Sequence, residues 1–106
     1  VKQAVFAALA DPTRRGIYER LRLREHTVGE LTRLARVSQP AVSQHLRELR
    51  HARLVTDRRD GRRRYYQASR EGLAELRQYI EALWDDVLQA YAAADSAAPR
   101  TKRKKT

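Results

Sequence analysis

The sequence predicts a mostly α-helical domain with a small β-hairpin, in the order α-α-α-α-β-β-α, and three observations predict it. Helix-start signals recur at Asp11, Thr27 and Ser38; the hydrophobic period then shortens from 3.6 to about 2 on either side of Asp60-Gly61; a long heptad-like apolar stripe follows.

The elements follow in order. Val5, Phe6 and Leu9 have helical spacing and mark a short first helix over residues 2–9. Asp11-Pro12 breaks and restarts the chain: Asp11 caps a second helix, Pro12 takes its first position, where a missing N–H costs nothing, and Ile17, Tyr18 and Leu21 face inward as far as about Arg24. Thr27-x-x-Glu30 is a capping box that opens a third helix, with Leu31 and Leu34 expected inside. Residues 35–37 turn the chain, and Ser38 caps a fourth helix running to Arg50.

The fourth helix has two unlike faces. Val42, Leu46 and Leu49 share an apolar stripe, while Pro40, Ser43, Gln44 and Arg47 project from the opposite side. One face anchors; the other carries groups that read base edges. Gln44 has the paired donor and acceptor that suit adenine, and Ser43 serves several bases. Ser38 and Gln39 stand at the helix start, whose exposed amides suit a phosphate. For Arg47, guanine and backbone phosphate are both open, and His45, on the shoulder of the stripe, is either a packed histidine or a base reader.

Strands are expected over 54–59 and 63–68, with Asp60-Gly61 as the tight turn between them. A hairpin directly after such a helix is a wing. Arg58, Arg59, Arg62, Arg63 and Arg64 crowd its tip, where like charges repel unless phosphates or acids neutralise them. Arg62 at the tip suits a narrow minor groove, and Arg59 and Arg64 suit backbone phosphate. Tyr65 and Tyr66 must point to opposite faces, one of them into the core.

A long last helix is expected over 71–94. Leu73, Leu76, Ile80, Leu83, Val87 and Ala94 form its stripe, widened by Trp84, Leu88 and Tyr91. Such a helix is longer than a small core can cover, so it is expected to pair with a second copy. Val5, Phe6, Leu9, Leu76, Ile80, Leu83, Trp84, Val87 and Tyr91 are the candidate dimer residues, and Trp84 could alternatively line a ligand pocket. Residues 1–95 thus read as one DNA-binding and dimerisation domain, and 96–106 as a disordered basic tail.

Charge supports this division. The 106 residues carry a net +10; residues 47–67 hold +5, 68–95 hold −4 and 96–106 hold +5. The middle of the chain attracts a polyanion and the last helix does not. There is no cysteine, which excludes disulfides and thiolate metal sites, no membrane-spanning apolar run and no signal peptide at Val1, so a cytoplasmic location is expected. No phosphate loop, nucleophile–base pair or metal triad marks an enzyme.

The run Ala8-Leu9-Ala10-Asp11-Pro12-Thr13-Arg14-Arg15, then Val28-Gly29-Glu30-Leu31, Val37-Ser38-Gln39-Pro40-Ala41-Val42-Ser43-Gln44-His45-Leu46, Asp60-Gly61-Arg62 and Tyr65-Tyr66, resembles the ArsR/SmtB family of winged-helix repressors over about residues 4–90. The resemblance implies a homodimer, joined through its first and last helices, that binds a double-stranded operator and blocks transcription until an inducer releases it. The chain departs from the family's metal sensors. Where their Cys-x-Cys would stand after Glu-Leu it has Thr32-Arg33-Leu34, no histidine follows His51, and the adjacent Asp85 and Asp86 point about 100° apart on a helix. No metal and no cofactor are therefore expected, His26, His45 and His51 being too scattered to form a ligand set, and any inducer would be an unidentified small molecule. The expected function is a sequence-specific repressor on a pseudo-palindromic site, with its own gene among the candidate targets; the alternative is a sequence-neutral architectural nucleic-acid binder.

Overall fold

The structure is a computed structural model and describes residues 2–97, with side chains over 3–94. Its elements are α1 (Lys2–Ala10), α2 (Pro12–Leu23), α3 (Val28–Ala35), α4 (Gln39–His51), β1 (Val55–Asp60), β2 (Arg63–Ala68) and α5 (Arg70–Ala97). The order is the expected one. Helix α5 runs two residues into the segment expected as tail; 98–106, and the reading at Val1, lie outside the described residues.

The helix starts are built as their sequences dictate. Asp11 accepts a hydrogen bond from the Arg14 backbone N–H at 2.9 Å, Ser38 Oγ accepts from Ala41 N–H at 3.2 Å, and Thr27 and Glu30 exchange both bonds of the capping box at 3.2 and 3.0 Å. Each satisfies amides that a helix start leaves without partners. The arginines after Asp11-Pro12 do a second job. Arg14 donates from Nε to Ala8 O at 2.8 Å and from Nη2 to Ala7 O at 3.0 Å, and Arg15 donates to Leu9 O at 2.6 Å. Two cations from α2 therefore close the carbonyl end of α1, which has no basic residue in its own last turn.

Two compact units divide the chain, one through Leu76 and the other from Arg77 onward. The core of the first gathers Val5 and Ala8 from α1, Ile17, Tyr18 and Leu21 from α2, Leu31 from α3, Val42, Leu46 and Leu49 from α4, then Ala52, Leu54, Val55 and Tyr66. Leu9 and Leu76 are partly buried against it. Two assignments are corrected, Leu34 as a core residue and Val5 as a dimer contact. Leu34 is 42% exposed: α3 turns Leu31 into the core and packs Val28 and Ala35 against it, leaving Leu34 on its outer side. Val5 lies fully inside the chain's own core and is not accessible to a second chain.

The hairpin pairs Val55 with Ala68, Asp57 with Tyr66, Arg59 with Arg64 and Asp60 with Arg63. Asp60 is thus the last paired residue, and the two-residue loop is Gly61-Arg62 rather than Asp60-Gly61. Gly61 has φ 65° and Arg62 does not lie in the left-handed region, the φ pattern of a II′ turn. Backbone bonds from His26 N–H to Tyr66 O (3.0 Å) and from Tyr66 N–H to His26 O (2.8 Å) add a short bridge beside β2. The wing is thereby tied to the loop before α3. At the other end Gly72 meets the turn after α4: its N–H donates to Arg53 O at 2.9 Å, and a Cβ there would lie 2.6 Å from Ala52 O.

The second unit, as far as it is described, is the remainder of α5. Ile80, Leu83, Trp84, Val87, Leu88 and Tyr91 recur at helical spacing and are all exposed, Trp84 at 62%. An isolated helix gains little from propensity alone, so a stripe this apolar implies burial against another surface.

Candidate nucleic-acid interface

Helix α4 presents the site because its apolar stripe is fixed. With Val42, Leu46 and Leu49 buried, Ser38, Gln39, Pro40, Gln44 and Arg47 are exposed, and Ser43 is half-buried. His45 is packed rather than outward: its Nδ1 lies 3.3 Å from Arg14 Nη1. Gln44 is exposed but already engaged along the helix. Its amide nitrogen donates to Glu48 Oε2 at 3.2 Å, and its oxygen accepts from Arg47. Pairs three and four apart contribute only about 0.2–0.5 kcal/mol, so a base edge can displace them.

Alternation along the strands sorts the wing arginines into two groups. Val55, Asp57, Arg59, Arg64, Tyr66 and Ala68 share the face that turns toward the core; Arg58, Asp60, Arg63 and Tyr65 share the other. Arg58 makes several contacts within the protein. It grips Glu25 through Nε and Nη2 at 3.1 and 2.5 Å, lies 3.8 Å from Asp60, and sits 4.8 Å over the Tyr65 ring. Arg58, expected among the DNA contacts, thus also braces the wing against the α2–α3 loop. Arg64 is half-buried and pairs with Asp57 at 3.2 Å. Arg59, Arg62 and Arg63 are exposed and form no ion pair among the described residues.

Two clefts flank these groups. One, of about 510 Å³, lies between α4 and the wing and is lined by Ser43, Arg47, Arg50, His51, Arg64 and Tyr66. The other, also about 510 Å³, joins the start of α3 and Arg33 to Arg62, Arg63 and Arg64. Arg50 and Arg33 are additions to the sequence reading. Arg50 was legible, since Ser43, Arg47 and Arg50 stand at i, i+4 and i+7 on one face. Arg33 was not, because only tertiary packing brings it to the wing. No group of three or more His, Cys, Asp or Glu among the described residues could hold a metal ion, and no helix there is long and apolar enough to cross a membrane.

Three carboxyls in this framework are held below their ordinary range: Glu25 chiefly by its hydrogen bonds from Arg58, Glu30 by the Thr27 N–H and Asp11 by the Arg14 N–H. A lowered native pKa adds stability that is complete above the unfolded value and lost as pH falls through the native one. Glu25→Gln should therefore lower Tm at about pH 6, and the gap from wild type should narrow as the pH falls below the ordinary glutamate range. A gap that widened on acidification would contradict the Arg58–Glu25 strut.

A capped helix with a polar outer face, beside a hairpin carrying exposed arginines, defines a winged helix-turn-helix DNA-binding protein. A family model described as bacterial regulatory protein, arsR family, matches residues 11–57. HTH-type transcriptional regulator Rv2034 of Mycobacterium tuberculosis is 54% identical over 85 residues, which span 80% of this chain and 79% of that protein. Transcriptional repressor SdpR of Bacillus subtilis is 39% identical over 62 residues, spanning 58% and 69% respectively. Among solved structures, the homodimeric winged helix-turn-helix DNA-binding domain of Mb0332 from Mycobacterium bovis aligns with TM-score 0.63 and 28% identity, over 83% of this chain and 82% of that one. The chain belongs to the ArsR family of bacterial regulatory proteins and is a DNA-binding transcriptional regulator.

Proposed function

We propose that the protein is a cytoplasmic, homodimeric repressor, without enzymatic activity, that binds a pseudo-palindromic operator. The observation that carries this reading is the exposed face of α4, with Gln39, Pro40, Gln44 and Arg47, next to a wing whose Arg59, Arg62 and Arg63 are exposed and form no ion pair among the described residues. Each α4 enters a major groove, Gln44 and Ser43 read base edges, and the wing arginines hold the flanking backbone. The exposed stripe of α5 pairs with its copy and sets the spacing of the two reading helices. A sequence-neutral architectural role is not favoured by relatives that are named transcriptional regulators and repressors.

Selection of bound duplexes from a random pool, followed by footprinting, tests the reading. Half-sites should lie about 34–36 Å apart along the duplex, or at a multiple of that spacing. Equal affinity for the selected and random duplexes would refute it. Gln44→Ala should cost about 1–3 kcal/mol at one base position, whereas Arg62→Ala should weaken all duplexes alike and reduce the salt slope by about 1. Titrations on single-base variants at several salt concentrations separate the two.

A further inference from the structure

An acid links the reading helix to the wing. Asp57, on β1, has a side chain only 17% exposed, and two arginines from different elements bracket it: Arg64 Nε of β2 at 3.2 Å and Arg50 Nη1 of α4 at 3.5 Å. Both arginines line the cleft between α4 and the wing, together with Arg47 and Ser43. Asp57 itself lies opposite the buried Tyr66, so its backbone is anchored in the core-side face of the hairpin. A carboxylate on a surface built to meet phosphates opposes binding in general. Its placement is intelligible if it serves discrimination rather than affinity.

We infer that Asp57 is a positioning residue for DNA recognition, holding Arg50 and Arg64 in one fixed arrangement and offsetting part of their charge. The inference rests on the operator-binding reading and concerns how the same surface rejects other DNA. Each guanidinium has five N–H donors, so one contact to Asp57 leaves donors for a phosphate. Because the carboxylate fixes where those donors point, a backbone that presents phosphates at the matching positions meets prearranged partners. A duplex with a different groove shape must pull the arginines away from Asp57, and that opposition is selective. Without the carboxylate the two cations repel, spread and meet any phosphate at similar cost, with one more net positive charge to drive them.

The test compares Asp57→Asn with wild type on the duplex selected from the random pool and on a random duplex, over a range of salt, alongside thermal melts. The variant should bind random duplex several-fold more tightly, with a steeper salt slope. The ratio of selected to random affinity should fall by about 5–10-fold, while Asp57→Glu should recover most of that ratio. A role confined to stability would lower Tm and leave the ratio unchanged, and a ratio within twofold of wild type overturns the inference. Should Asp57→Asn not fold, Arg50→Gln, Arg64→Gln and their double variant replace it: non-additive effects on the ratio support a shared clamp, and additive ones reject it. The two readings fail separately. If wild type does not distinguish the duplexes, operator binding itself falls; if wild type distinguishes them and Asp57→Asn does so equally well, only the role of Asp57 falls.

Discussion

Trp84→Glu is expected to turn the dimer into a monomer and to lower operator affinity by at least about 100-fold. Trp84 stands in the middle of the exposed stripe formed by Ile80, Leu83, Val87, Leu88 and Tyr91, and is itself 62% exposed in the single chain. Pairing this stripe with a second copy would bury it, and a carboxylate at its centre would be desolvated with no partner. Linked half-site binding commonly exceeds single-site affinity by about 10²–10⁴-fold, and that gain is lost with the dimer. Sedimentation should report half the mass, circular dichroism some loss of helix as the unsupported part of α5 frays, and gel shifts weak binding that no longer depends on half-site spacing. Trp84→Phe should retain the dimer. A Trp84→Glu protein that still sediments as a dimer would place the interface elsewhere.

Gly72→Ala should destabilise the protein by about 1–3 kcal/mol, a large change for one methyl group on a helix. Alanine normally favours a helix over glycine by about 1 kcal/mol, so the expected sign is the reverse of propensity. The reason is the turn that follows α4. Arg53 takes a left-handed conformation with φ 61°, which brings the carbonyls of Ala52 and Arg53 against the first turn of α5. A Cβ at Gly72 would lie 2.6 Å from Ala52 O, 2.9 Å from Leu54 Cδ2 and 3.0 Å from Arg53 O, and two of those three atoms are backbone. Equilibrium urea unfolding measures the change. Gly16→Ala is the matched control: it is also helical, with no atom within 4 Å of its added Cβ, and should be neutral or stabilising. A stabilised Gly72→Ala protein would show that α5 does not start against this turn.

Much of the local structure was legible because it depends on neighbours in sequence. Asp11, Thr27 and Ser38 accept hydrogen bonds from amides three residues ahead, as their residue types and spacing required. The stripe of Val42, Leu46 and Leu49 follows from the helical period, and it leaves Gln44 and Arg47 outside. The turn was one residue out. Asp60-Gly61 is a common hairpin dipeptide, but pairing of Asp60 with Arg63 moved the loop to Gly61-Arg62.

What was not legible depends on residues far apart in the chain. Five wing arginines looked alike, yet Glu25, 33 positions away, captures Arg58, and Asp57 captures Arg64. Phe6 and Val5 are adjacent apolar residues with equal claims on a partner; packing puts Val5 wholly inside, while Phe6 is 43% exposed. Leu34 has the spacing of a core residue and is 42% exposed.

The sequence by itself determined the element order, the helix caps, the two-faced helix from Gln39 to His51 and the basic character of the wing, since each follows from residue type and short-range period. Only the tertiary structure decided which wing arginines form ion pairs within the protein, which acid stands among them and why Gly72 must stay small. Those outcomes are set by contacts between α4, the hairpin and the loops around them, and a one-dimensional pattern of charge and hydrophobicity carries no record of which distant groups come within 4 Å.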